Sequence, residues 1–176
     1  MISSAGISRG SLKYLADTGR LDQVSRGVYT LPEVWEDEFV SIQERYKRGV
    51  FALDTALFLH DLTDRTPHKF HMAFPYGYNT SSPKAAGILC SCKKEPYYSL
   101  GIALVDTPAG NTVRAYNAEK TLCEILKPIS HTDIQLIKDE FKRYAGRKDK
   151  NIPLLSEYAH QLRVEKRLRP YLEVLL

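Results

Sequence analysis

Apolar and polar positions change their period several times along the chain, and each change predicts an element. Between Ser8 and Gly19, Leu12 and Leu15 fall on one face among Arg9, Ser11, Lys13 and Tyr14, the pattern of a short amphipathic helix. Ser8 offers a hydroxyl suited to an N-cap, and Gly19 can take the left-handed conformation that closes the helix. Leu21 to Val24 and Val28 to Leu31 then read as two short strands, joined at Ser25-Arg26-Gly27. A helix followed at once by a two-stranded ribbon is the second half of a winged helix-turn-helix. In that motif the helix enters the major groove and the ribbon tip meets the phosphate backbone. Arg9, Ser11, Lys13 and Tyr14 on the helix, with Ser25 and Arg26 on the ribbon, are groups that hydrogen-bond bases or phosphates. A solvated polar face would show the same residues. Only seven residues precede Ser8, whereas the front of a full motif takes roughly 20–30. The expectation is therefore a shortened motif, either cut at its front or supported by another protomer or partner.

Pro32 to Trp35 reads as a linker, dividing a partial winged helix over 1–34 from a larger domain over 35–176. In the larger part, Phe39, Ile42 and Tyr46 fall on one face of a helix over 37–47, with acids at its start and bases at its end. Leu53 to Leu62 is apolar nearly all round, the mark of a buried helix. Strands are expected over 68–75, 88–93, 102–107 and 112–116, the last two joined by the turn Pro108-Ala109-Gly110-Asn111. Asn117 caps a helix that Pro128 stops. Further helices are expected over 133–145, 152–162 and 164–175, with Pro170 starting a new turn or kinking the last. The fold class is α+β: a shortened N-terminal winged helix, then a mixed α/β domain ending in helices.

Composition narrows the function classes. At 176 residues, 43% hydrophobic and 26% charged, the chain is neither disordered nor fibrous. It contains no apolar run of the ~20 residues that span a bilayer and no signal-peptide core, so no membrane role and a cytoplasmic location are expected. Three cysteines, two of them at 90 and 92, make a disulfide framework improbable. The net charge of +4 is unevenly placed. Residues 1–50 carry seven bases and seven acids, residues 51–110 five of each, and residues 111–176 thirteen bases against nine acids. Lys138, Lys142, Arg143, Arg147, Lys148 and Lys150 concentrate that excess, with Arg163, Lys166, Arg167 and Arg169 as a second cluster. Such rows are a solvated face or a surface for phosphates or an acidic partner.

Candidate chemistry is sparse. His60, His68, His71, Cys90 and Cys92 fit no zinc spacing, so no metal is expected. No nucleophile elbow or phosphate-cradling glycine loop occurs, and no cofactor is expected. A nuclease-like set of Asp133, Glu140 and Lys142 can be drawn. Glu140 and Lys142 flank Phe141 mid-helix, however, which reads as a solvated helix edge. No catalytic residue is assigned and the chain is not expected to be an enzyme.

The ordered motifs carry more. Gly6-Ile7-Ser8-Arg9 with Leu12, Gly19 with Leu21, and Arg26-Gly27-Val28-Tyr29 resemble the winged-helix half of AbiEi-type abortive-infection antitoxins. The likeness continues through Asp54-Thr55-Ala56-Leu57, Leu59-His60, Leu62, Asp64-Arg65, Pro75 and Gly77-Tyr78-Asn79. It resumes at Thr107-Pro108, Gly110-Asn111-Thr112-Val113-Arg114, Tyr116, Glu119-Lys120-Thr121-Leu122-Cys123 and Lys142-Arg143-Tyr144, and closes at Arg163-Val164-Glu165-Lys166 and Tyr171 to Leu176. That family resemblance implies a type IV toxin–antitoxin system that limits phage spread. Its N-terminal winged helix would bind inverted repeats in its own promoter and repress it. Its C-terminal domain, from about residue 50 onward, would antagonise a nucleotidyltransferase-like toxin without a stable complex. Ser8, Arg9, Ser11, Lys13 and Tyr14 would then form the DNA-reading helix, with Arg26 as the wing contact.

Overall fold

The computed structural model describes residues 9–18, 21–25, 28–30, 37–130 and 132–175. Ser8, Gly19, Arg26, Gly27 and the expected linker lie outside the described residues. Two compact units, residues 1–47 and 48–176, make up the chain.

In the smaller unit, α1 covers Arg9–Asp17, and β1 (Asp22–Ser25) pairs antiparallel with β2 (Val28–Thr30). The register passes from Gln23↔Tyr29 to Ser25↔Val28, so β1 holds one residue more than its partner and bulges there. At the end of α1, the Thr18 backbone N–H and hydroxyl both donate to the carbonyl of Tyr14, at 3.0 and 2.9 Å, closing the last turn. Next comes α2, Glu38–Arg45, opened by Asp37, whose carboxylate accepts from the backbone N–H of Phe39 at 3.0 Å. This helix matches the one that the acid-to-base gradient predicts, and it packs against β1.

The larger unit is mixed α/β. Its strands are β3 (Val50–Phe51), β4 (His71–Pro75), β5 (Leu89–Lys93), β6 (Ile102–Asp106) and β7 (Thr112–Tyr116). They form one mixed sheet in the order β5-β4-β3-β7-β6. The central strand is the shortest: β3 pairs antiparallel with β4 through Val50↔Ala73 and parallel with β7 through Phe51↔Ala115. Its helices are α3 (Leu53–Leu59), α4 (Ser81–Ala85), α5 (Ala118–Ile125), α6 (Ile134–Ala145), α7 (Ile152–Gln161) and α8 (Glu165–Leu175), which with α1 and α2 make eight α-helices among the described residues. The hydrophobic pattern predicts neither β3 nor α4; the other elements fall within a few residues of their expected bounds. Pro170 sits inside α8.

One apolar core joins α3, α5, α6, α7 and α8 through Leu57, Leu122, Ile125, Phe141, Leu155 and Leu168. The helix at its centre, α5, packs against α3 and α7, and every one of its eight residues is buried. Half of them are polar, so burial obliges each to find a partner. The Thr121 hydroxyl donates to the carbonyl of Asn117 at 2.8 Å. Glu119 accepts from the Tyr144 hydroxyl at 2.7 Å, and that hydroxyl in turn accepts from the backbone N–H of Asn151 at 2.8 Å. Tyr144→Phe therefore strands a buried carboxylate oxygen and a backbone donor together. We expect a loss of about 2 kcal/mol in urea denaturation, from the cost of unpaired buried groups; a loss below about 0.5 kcal/mol would show that water replaces the hydroxyl.

Candidate functional site

The residues expected to read DNA are placed unevenly. Arg9 and Ser11 begin α1, and Lys13 and Tyr14 follow on its exposed side, with Tyr14 66% exposed. Leu15 and Ala16 turn inward and are half-buried. At about 100° per residue, Lys13 and Tyr14 stand on adjacent edges of the exposed side. The ribbon β1–β2 follows, with Gln23 exposed and Tyr29 half-buried. An ammonium and a phenol hydroxyl on neighbouring solvent-facing edges of one helix can contact a phosphate and a base edge.

The second expected surface, the basic row, is divided by its own hydrogen bonds. Lys138 and Lys142 lie one turn apart on the exposed face of α6, opposite the buried Ile137, Phe141 and Tyr144. Arg143 forms a forked pair with Asp64, Nη1 meeting Oδ1 at 2.9 Å. Arg147 makes the same kind of pair with Asp149, at 2.9 and 2.7 Å, and also donates to the carbonyl of His60. Lys150 donates to the carbonyl of Ala145 at 2.8 Å. Arg143 and Arg147 therefore tie α6 and the segment after it to the rest of the unit, and Lys150 ties that segment back to the end of α6. Lys138, Lys142 and Lys148 point outward.

The nuclease-like trio does not assemble. Asp133 caps α6, its carboxylate accepting from the backbone N–H of Gln135 at 2.7 Å. Glu140 and Lys142, two residues apart, diverge by about 200° around the helix. Lys142 is exposed, and Glu140 is only 4% exposed. The expected solvated edge is thus corrected at Glu140: it stands three residues after Ile137 and four before Tyr144, on the packed face. Its burial holds the carboxyl well above the carboxylate range, at about 8, and Asp54 adds to the effect. That spacing, weighted as a face rather than as a residue type, is the signal that would have found it.

The histidines and cysteines are dispersed. The Nε2–H of His60 donates to the carbonyl of Tyr116 at 2.8 Å, and burial lowers the pKa of this ring and that of His71. Cys123 is buried in the core, its thiol pushed up to about 12 by desolvation, while Cys90 and Cys92 lie on β5. Among the described residues, no group of three His, Cys, Asp or Glu is placed to hold a metal ion.

The most concentrated charge in the larger unit was read in the sequence only as part of a motif. Lys120 is fully buried; its ammonium donates to the carbonyl of Tyr97 at 2.9 Å, lies 3.3 Å from Glu124 Oε1 and sits 4.7 Å from the centre of the Tyr116 ring. Lys93, at the end of β5, reaches the same Glu124 oxygen. Desolvation dominates at Lys120 and pushes its pKa down to about 8. At Glu124 burial acts upward, but Lys93 and Lys120 outweigh it and hold the carboxylate below its ordinary range. The arrangement clamps α5 to the edge strand and to the segment before β6.

Among the described residues, no helix is long and apolar enough to cross a membrane. No curated protein matches the chain. A solved structure, that of the RV2827C protein from Mycobacterium tuberculosis, is 14% identical, covers 98% of this chain and 72% of its own, and has a TM-score of 0.48. A family model described as a transcriptional regulator, AbiEi antitoxin, matches residues 1–32, the stretch that holds α1, β1 and β2.

Proposed function

We propose that the chain is the antitoxin of a type IV toxin–antitoxin system and also a DNA-binding repressor of its own promoter. In this reading α1 is the recognition helix of a winged helix, and β1–β2 is its wing. The observation that carries it is the coincidence of the antitoxin-regulator match over 1–32 with a helix and ribbon presenting Lys13 and Tyr14 to solvent. The partners are promoter DNA with inverted repeats and a nucleotidyltransferase-like toxin antagonised without a stable complex. No catalysis is assigned to the chain, and it acts in the cytoplasm.

The test is a fluorescence-anisotropy titration with the duplex upstream of the gene and with a scrambled duplex, each at two salt concentrations. Preference for the native duplex is expected. Lys13→Ala combined with Tyr14→Ala should weaken that binding by roughly tenfold or more and flatten the salt slope by about one, the signature of a lost phosphate contact beside a lost base contact. Binding that is equal for both duplexes and unchanged in the double variant sinks the repressor half of the proposal.

A second reading is favoured by the outward placement of Lys138, Lys142 and Lys148: antagonism of the toxin through a basic surface on the larger unit. Lys138→Glu with Lys142→Glu should then abolish rescue of growth from the toxin while leaving DNA binding intact. Full rescue by that variant removes the basic surface from the account.

A further inference from the structure

An open cleft of about 530 Å³ lies in the larger unit between α3, the segment that follows it and α6. Leu57, Leu136 and Pro67 supply apolar wall, and the Thr63 and Thr66 side chains border it. Glu140 forms part of the wall at 4% exposure, and its Oε2 is buried with no hydrogen-bond partner among the described residues. A buried acceptor without a donor costs free energy that the fold does not recover internally. In a cleft wall, such an atom marks the place where a ligand donor belongs.

The charges around Glu140 decide the sign of that ligand. Asp54 on α3 and Asp139 on α6 act on it as carboxylates, and Arg65, from the segment after α3, acts as the cation; His68 also borders the cleft. Within the lining the Asp54 carboxylate offsets Arg65, so an ionised Glu140 leaves a net negative charge there. An anion would meet a deficit of positive charge there, whereas a cation gains a partner. The apolar walls suit an alkyl stem that carries the charged head inward.

We propose that this cleft binds an ammonium or guanidinium group carried on a short alkyl chain, with Glu140 as its principal acceptor. Glu140 holds a proton at neutral pH because it is desolvated and faces Asp54 and Asp139. When the cationic head arrives, the Glu140 carboxyl gives its proton to solvent and the N–H donors of the ligand take its place. Binding at pH 7 therefore releases close to one proton for each ligand bound, and affinity rises as pH rises toward 8, where Glu140 ionises unaided. The assignment stands independently of DNA binding by the smaller unit.

Isothermal titration of the full chain with agmatine, in two buffers of different ionisation enthalpy, measures both affinity and proton release. We expect saturable millimolar or tighter binding that releases about one proton, in line with a single carboxyl displaced from its acid form. Glu140→Gln keeps the side-chain shape, and it should abolish the proton release and weaken binding by about tenfold or more, the loss of one charge-assisted contact. Circular dichroism of the variant should match the wild type. Asp54→Asn should weaken binding severalfold while proton release persists. N-acetyl-arginine amide separates the sources of the group: binding by it as well as by agmatine assigns the cleft to a side chain of a partner protein, and binding by agmatine alone assigns it to a free amine. No binding of either cation, or equal binding to the wild type and Glu140→Gln, overturns the proposal.

Discussion

Glu124→Ala is expected to destabilise the protein by about 3–5 kcal/mol, the range observed when one partner of a buried ion pair is removed. The variant leaves Lys120 with no solvent exposure and no counter-charge; the Tyr97 carbonyl and the Tyr116 ring remain, but neither carries a full negative charge. Lys93, 17% exposed, can turn outward and be hydrated, whereas Lys120 cannot. Urea denaturation followed by circular dichroism reads the change directly. A cost below about 1 kcal/mol would mean that Lys120 escapes to solvent or loses its proton. The companion variant Lys120→Met with Glu124→Met removes both charges, and should recover most of the loss, since apolar replacement of a whole buried pair is often neutral.

The same pair sets a pH dependence. A lysine whose folded pKa is about 8, against an ordinary 10.5, binds fewer protons when folded than when unfolded between those values. Its contribution to stability therefore rises with pH from about 8 towards 10.5. Glu124 acts in the other direction: its depressed pKa stabilises the fold above the ordinary carboxylate range, and that support is lost as pH falls through its folded value. Glu124→Ala should remove the acid-side part of the profile.

Gly101→Ala should cost about 2–5 kcal/mol, summing a left-handed penalty of about 1–2 and an overpacking penalty of about 1–3. Gly101 stands at φ +73°, and an added Cβ would lie 2.8 Å from Lys120 Cβ and 3.0 Å from Asn117 Oδ1. Both neighbours are fixed. Asn117 Oδ1 caps α5 by accepting from the Lys120 N–H at 2.9 Å, and the Asn117 N–H donates to the carbonyl of Gly101 itself at 2.7 Å. The methyl group would therefore press on the helix cap and on the stem of the buried lysine together. Gly110 provides the control, for it stands at φ +81° in the β6–β7 turn with nothing within 4 Å of an added Cβ. Gly110→Ala should cost only about 1–2 kcal/mol, the backbone part alone. Equal losses at the two positions would show that the contact with α5 yields without strain.

Elements whose cause is local were legible from the residues. Asn117 reads as a helix cap and acts as one, its side-chain oxygen taking the backbone donor of Lys120; Asp133, at the start of an expected helix, caps it in the same way. The Pro108–Asn111 turn joins β6 and β7 as expected, in an antiparallel register that sets Leu104 opposite Arg114. Of the helical stripe Ile134, Ile137, Phe141 and Tyr144, the last three are buried as the spacing requires, while Ile134 in the first turn of α6 is 65% exposed. Capping, turn chemistry and helical period all act within a few residues, so a window of sequence contains their whole cause.

Long-range packing decided the rest. β3 is two residues long, too short to show a period, and becomes the central strand because β4 and β7 close on it from remote parts of the chain. Residues 118–125 read as an ordinary helix with polar positions at Glu119, Lys120, Thr121 and Glu124, and all of these are buried. Their partners Tyr144, Tyr97 and Lys93 come from other elements. Glu140 likewise owes its raised pKa to the covering of its face, with Asp54 of α3 adding to it. By itself the sequence determined the local elements and the helix-ribbon pattern at its start; which charges are buried, and that a buried carboxyl at Glu140 is left without a donor among the described residues, depended on neighbours brought together only by folding, because desolvation is a property of the packed surroundings rather than of the residue.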